Sequence, residues 1–167
     1  MKPLPTTYIY TQAICAAGVV LEKEGKILMI KEHRPGNADH GKWNFPCGFL
    51  DLGEDPYETA IRETREEAGY DVRPHALLGI YSVARNDIVK GNAMPHYVGI
   101  YYIGAPLNEV PYEHDSEVAE IRWLTPDEAL AFPDELMRSR NIKIVIKDYA
   151  AGTRYPLEVV HHMDQVQ

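Results

Sequence analysis

Residues 55–69 constrain this chain more than any other stretch. Asp55 carries a side-chain oxygen suited to cap a helix, Pro56 suits the first helical position, and Glu58 stands where a capping box wants an acid. Gly69 supplies the stop. These signals predict a helix over 56–68. On a 3.6-residue period Tyr57, Ala60, Ile61, Thr64 and Ala68 share one stripe, which predicts a face packed on a sheet. Glu63, Glu66 and Glu67, spaced i, i+3, i+4, share the neighbouring stripe at the edge of that face. The stretch 47–70 holds seven Asp or Glu in all. Carboxylates this close disfavour one another's ionised form. A solvated helix face with Glu–Arg pairs accounts for them in one way. A divalent cation, for which they are hard oxygen ligands, accounts for them in another.

The flanking sequence reads as strands. Residues 14–21 and 26–31 are short apolar runs on either side of the turn-like "EKEG". "RPGNADHGKWNFPCGF" is loop-rich, with Pro35, Gly36, Gly41, Pro46 and Gly48. After the helix, "ALLGIYSVAR" and "PHYVGIYYIG" read as strands around the loop "NDIVKGNAM", and "EIRWL" as a further short strand. "TPDEALA" opens like another helix, and 142–149 reads as the apolar side of a terminal helix despite its β-branched residues. Strands, helix, strands, helix is the order of a mixed α/β sandwich.

Bulk properties narrow the function. At 167 residues the chain is long enough for one domain with a full core, and 1–167 is read as one domain. A formal net charge of -8 argues against a polyanionic partner and so against DNA. A small phosphate compound can still bind where a metal ion or local Lys and Arg supply positive charge. Cys15 and Cys47 make no zinc or disulfide framework. The start "MKPLPTTYIYTQ" lacks an apolar leader core, and the chain has no run of about 18 apolar residues. A cytoplasmic protein without a membrane partner is expected.

Gly48, Glu54, Arg62, Glu63, Glu66, Glu67 and Gly69 stand in the pattern Gly, five residues, Glu, seven residues, Arg-Glu, two residues, Glu-Glu, one residue, Gly. This resembles the signature box of the Nudix hydrolases, with all seven positions present. Thr64 and Tyr70 depart from the aliphatics the family prefers at two looser positions, which bears on packing more than on chemistry. "WNFPCGF" is similar to the family's aromatic-x-Pro-Gly-Gly entry into the box, with Cys47 in place of the first Gly. The likeness extends over about residues 14–149 by element order, and its specific motif over 48–69.

The resemblance implies a Nudix-type α/β/α sandwich with a mixed sheet. It further implies cleavage of a pyrophosphate bond in a nucleoside diphosphate linked to another group, by water with Mg²⁺ or Mn²⁺. By position Glu63, Glu66 and Glu67 would hold the metal or orient the water, and the Cys47 carbonyl would be a further ligand. Glu54 and Arg62 would brace loop and helix behind them. The family commonly takes one more Glu from a loop before a Trp-containing strand, which points to Glu117 rather than Glu113 or Glu120. Its subgroup markers for ADP-ribose and dinucleoside polyphosphates are absent at Asn86, Asp87 and Ile88. A nucleoside triphosphate or similar small diphosphate is therefore the expected partner, with a homodimer left open. A non-hydrolytic isomerase or a ligand-sensing module of the same fold is the alternative. The intact box and the short stretch after residue 149 weigh against it, and the lack of a basic stripe weighs against RNA ends.

Other letters carry less. "GNADHGKW" imitates a P-loop but ends in Trp43 and is followed by Pro46 and Gly48, not by a helix. Residues 114–116, "HDS", are too close together for a triad, and His161-His162 sit in the tail. Cys47, beside Gly48, reads as a small buried residue more readily than as a nucleophile. Tyr97, Tyr101 and Tyr102 could stack on a base or simply fill a strand. Arg34, Lys42 and Arg85 have the charge to bind substrate phosphate, although a solvated loop charge is the plainer reading.

Overall fold

The computed structural model describes residues 13–84, 96–109 and 116–163. Seven strands form its sheet: β1 Ala13–Lys23, β2 Lys26–Glu32, β3 Trp43–Asn44, β4 Cys47–Phe49, β5 Tyr70–Ala84, β6 His96–Glu109 and β7 Val118–Leu124. The main path runs β3-β2-β1-β6-β5, with β4 paired to β1 and β7 paired to β2. β1 and β6 run parallel, from Ala13 opposite His96 to Leu21 opposite Gly104. The remaining strand pairs are antiparallel, so the sheet is mixed. The turn between β1 and β2 uses Glu24 at φ 52 and Gly25 at φ 74, two left-handed residues that suit a tight hairpin.

Helices cover both faces, and the strands divide their side chains between them by alternation. Val19, Leu21, Leu28, Ile30, Ile100 and Tyr102 pack with Ala60 and Ala68 of α1, Pro56–Ala68. Val20, Ile27, Met29, Tyr101 and Ile103 pack on the other side with Ala129 of α2, Pro126–Leu130, and Ile142, Val145 and Ile146 of α3, Arg140–Ala150. Burial on both faces explains why 14–21 and 26–31 read as continuous apolar runs. In α3 the spacing of Ile142, Val145 and Ile146 points all three into the core, and that burial outweighs the weak helix preference of β-branched residues.

Asp55, Pro56 and Gly69 act as read, whereas Glu58 stands in the first turn of α1 without completing a capping box. Asp55 Oδ1 accepts from the Tyr57 N–H at 2.9 Å, and Gly69 closes α1 at φ 72 with its N–H on the Arg65 carbonyl. The complete reciprocal capping box belongs to α2, between Thr125 and Glu128. β5 is longer than "ALLGIYSVAR" and begins at Tyr70, directly after the α1 stop. It accommodates Pro74 at a register shift against β6, where a missing N–H costs no ladder bond. The tail returns to β5, exchanging two backbone bonds between Leu77 and Tyr155 and covering part of an edge that would otherwise be bare. Among the described residues no helix is long and apolar enough to cross a membrane.

Candidate active site

β4 lies against the second half of α1 and brings the 47–49 backbone onto the glutamate-bearing face. Gly48 has a specific reason to be glycine. A Cβ built there would fall 2.1 Å from Glu63 Oε1 and Cδ and 2.3 Å from Oε2. The Glu63 carboxylate therefore rests directly against the strand backbone. One residue earlier, the Cys47 N–H donates to Glu67 Oε2 at 2.8 Å. The three glutamates that share a stripe in sequence are thus divided in space. Glu67 is only 4% exposed, the Glu63 side chain 14%, and the Glu66 side chain 53%. The packed face of α1 includes Glu67 as well as the apolar stripe, because β4 overlies the last turns of the helix and offers Glu67 a backbone donor.

Arg62 ties this group together. Glu54 grips its guanidinium at two points, Nε to Oε1 at 2.9 Å and Nη2 to Oε2 at 3.0 Å. That contact holds the Glu54 carboxyl down to about 2, well below its ordinary value. Arg62 Nη1 in turn reaches Glu63 Oε1 at 2.6 Å and Glu66 Oε2 at 3.2 Å, and Nη2 donates to the Phe49 carbonyl at 3.3 Å. The loop before α1 and the helix itself are pinned by one cation.

Glu63 and Glu67 open onto a cleft of about 280 Å³, lined also by Gly48, Arg34, Glu117 and Arg138. Arg34 Nη2 pairs with Glu117 Oε2 at 2.7 Å, and its Nε with Glu32 Oε2 at 3.1 Å. Arg138 bonds Glu32 Oε1 at 3.0 Å and Asp39 Oδ2 at 3.3 Å. Burial pushes the carboxyls of Glu63 and Glu67 up, that of Glu67 well up; repulsion from Glu66 and Glu54 adds to the first shift, and repulsion from Glu32 and Glu63 to the second. Burial likewise pushes the Cys47 thiol up to about 11, which fits the packed side chain expected from the sequence.

Several expected residues take other places. Neither Lys42 nor Glu66 lines the cleft. Arg85, Glu113 and the subgroup-marker positions 86–88 lie outside the described residues, as do His114 and Asp115. Glu120 sits within β7, paired to Lys31 and Arg122. Tyr97 lines the cleft, whereas Tyr101 and Tyr102 are buried on opposite faces of the sheet, packed edge-on against Phe45 and Tyr57 respectively. The P-loop imitation is a run of turns leading into β3. His161 and His162 are exposed near the end of the described tail.

Sequence reasoning missed Arg138. Its local context, "LMRSRN", carries no signal, and 106 residues separate it from Glu32. A parallel bridge between Trp43 and Met137, with the Arg138 N–H on the Trp43 carbonyl, delivers it to the cleft.

Three carboxylates, Glu63, Glu67 and Glu117, face two guanidiniums in the cleft. Among the described residues no group of three or more His, Cys, Asp or Glu converges closely enough to hold a metal ion. The donor chemistry still fits a hard divalent cation: the buried Glu67 and the half-buried Glu63 line one cleft, and more positive charge than two arginines is needed before a diphosphate can enter.

A mixed sheet between helices, with helical glutamates laid over a glycine-bearing strand, defines a class of fold and site. The family model described as NUDIX domain matches residues 11–146, and the chain belongs to this family of hydrolases. Among its relatives, the MutT-like protein of Streptomyces ambofaciens is 32% identical over 127 residues, spanning 76% of this chain and 73% of that protein. The phosphatase NudJ of Escherichia coli K12 is 30% identical over 141 residues, spanning 84% and 86%. Among solved structures, a NUDIX hydrolase from Nitrosomonas europaea superposes with a TM-score of 0.82 at 27% identity, covering 93% of this chain and all of that one.

Proposed function

We propose that this protein hydrolyses the pyrophosphate bond of a nucleoside triphosphate, or of another small nucleoside-diphosphate-linked molecule, with Mg²⁺ or Mn²⁺. The observation that carries this reading is the placement of Glu63 and Glu67 against the backbone of 47–48, in one cleft with Arg34 and Arg138. Glu63, Glu66, Glu67 and the Cys47 carbonyl would hold the cation, with Glu117, which lines the same cleft, as a further ligand. When bound, the cation would neutralise phosphate oxygens and lower the pKa of a coordinated water.

The chain's own residues do the rest. The Cys47 N–H fixes Glu67 Oε2 and leaves Oε1 for a ligand. Glu54 keeps Arg62 charged and in place, so that Glu63 and Glu66 are held side by side. Arg34 exchanges Glu117 for a phosphate oxygen, and Arg138 offers a second guanidinium to the same anion. Lys42 stays outside this set, and Arg85 remains a proposed phosphate contact on charge alone.

The test is a panel of nucleoside triphosphates and diphosphate-linked compounds assayed for phosphate, pyrophosphate or nucleoside monophosphate release in millimolar Mg²⁺ or Mn²⁺. Activity is expected to vanish in excess chelator, and Glu67→Gln is expected to lose at least ~100-fold in rate while remaining folded. Full turnover in chelator would refute the metal-dependent mechanism. Failure on every diphosphate would refute the hydrolase reading.

A further inference from the structure

Beside the cleft, and sharing Tyr97 and Arg138 with it, is a smaller recess of about 50 Å³. Asp39, Asn44 and Asn141 stand in its wall, with Val83 and Ile142 supplying apolar surface. The three polar residues are 7%, 1% and 5% exposed, and each is held in the same way, with one end tied and the other bare. Asp39 Oδ2 accepts from Arg138 Nε, while Oδ1 has no partner. Asn44 Nδ2 donates to Glu32 Oε1 at 3.3 Å, while Oδ1 has no partner. Asn141 Oδ1 accepts from the Ser139 hydroxyl, while Nδ2 has no partner. Buried polar atoms are nearly always paired, because leaving them alone costs stability. Three unpaired ones in a single wall, next to the cleft, call for a partner from outside the fold.

For Asp39 and Asn44 the tied ends decide what the bare ends offer, two acceptors, Asp39 Oδ1 and Asn44 Oδ1; the Asn141 amide, placed with its oxygen on the Ser139 hydroxyl, presents Nδ2 as a donor. Their complement is a planar edge with two N–H donors and one acceptor. A ring amine beside a ring nitrogen has that inventory, and so does a ring amine and N–H beside a carbonyl. A diketo edge has the reverse, one N–H between two carbonyls, and would leave an acceptor facing an acceptor. We propose that the recess is the head-group subsite of this hydrolase, selective for a diphosphate that carries an amino-substituted nitrogen heterocycle. The proposal rests on the diphosphate-hydrolase reading of the adjoining cleft. Arg138 couples the two, since its Nε holds Asp39 in the recess while its guanidinium also lines the phosphate cleft. The recess admits the polar edge alone, and the rest of the ring lies at its mouth beside Tyr97.

The experiment compares kcat/KM for nucleotides that differ in the amine: CTP against UTP, and GTP against ITP, with the full chain in Mg²⁺. The amino member is expected to win by on the order of 10- to 100-fold, the discrimination that one unpaired buried polar group imposes. Asn141→Asp, which turns the donor into an acceptor, and Asp39→Asn are expected to shrink that ratio chiefly through KM. Equal kcat/KM within each pair, or preference for UTP or ITP, overturns the subsite and leaves the hydrolase standing. If none of these four nucleotides is cleaved, the wider diphosphate panel decides the hydrolase reading, and calorimetric binding of CDP against UDP decides the subsite. Tighter CDP binding by the same factor supports it, and equal affinities overturn it.

Discussion

Gly48→Ala is a perturbation whose effect can be worked from distances. The new Cβ would sit 2.1 Å from the Glu63 carboxylate, where ordinary contact begins at 3.4 Å, so the carboxylate must retreat by 3.4 − 2.1 = 1.3 Å. It is the far end of a flexible side chain, so the backbone is spared. Retreat forfeits the Arg62–Glu63 contact, a partly exposed pair worth about 0–1 kcal/mol. Replacing glycine returns about 0.4–1 kcal/mol by restricting the unfolded chain. These nearly cancel, and the melting temperature should move by less than about 4 °C. The rate should not be spared, because a displacement near 1 Å at a reacting centre costs on the order of 100-fold. The assay pairs a thermal melt with kcat on the best substrate of the panel. A double variant with Glu63→Gln completes the cycle and should lose no more than Glu63→Gln alone if Gly48 acts through Glu63. An unchanged kcat would show that Glu63 need not lie against the strand. A fall of more than about 8 °C would show that β4 itself cannot accept the methyl group.

Three further outcomes follow from contacts at and around the helix. Asp55→Ala removes the cap on Tyr57 N–H and should cost ~1 kcal/mol, or roughly 2–4 °C, in a melt, with a smaller loss of rate than Glu67→Gln; an unaltered melt would remove Asp55 from the cap. Glu117→Gln should lower kcat with little change in melting, whereas Glu120→Gln, on a strand-surface pair away from the cleft, should be near neutral; an unaltered rate and metal stoichiometry in Glu117→Gln would take Glu117 out of the site. Glu54 has its folded pKa depressed by Arg62 from 4.5 to about 2, so its ion pair contributes fully above about pH 4.5 and is lost as pH falls toward 2. The melting difference between the wild type and Glu54→Gln should therefore be largest above that window and shrink through it; a difference independent of pH would mean that the pair contributes no linked stability.

What the sequence determines here is local. Asp55, Pro56 and Gly69 set the ends of α1, because caps and stops act within a turn of themselves. Two short apolar runs over residues 14–21 and 26–31, parted by a turn, set two strands, and the seven box positions place the carboxylates and their arginine on one short segment, since a helix repeats every 3.6 residues whatever it later packs against. Burial is not local, and so the separate fates of Glu63, Glu66 and Glu67 are not legible there. They are decided by β4 crossing α1, which offers Glu67 a backbone N–H and Glu63 a bare glycine. The parallel partnership of β1 with β6 depends on contacts between strands more than seventy residues apart by the register Ala13 to His96. The same holds for Arg138 beside Glu32, and for Asp39, Asn44 and Asn141 around one recess. Each of these residues reads as an ordinary loop or strand polar group until the tertiary fold brings it together with charges and unpaired atoms it cannot meet along the chain.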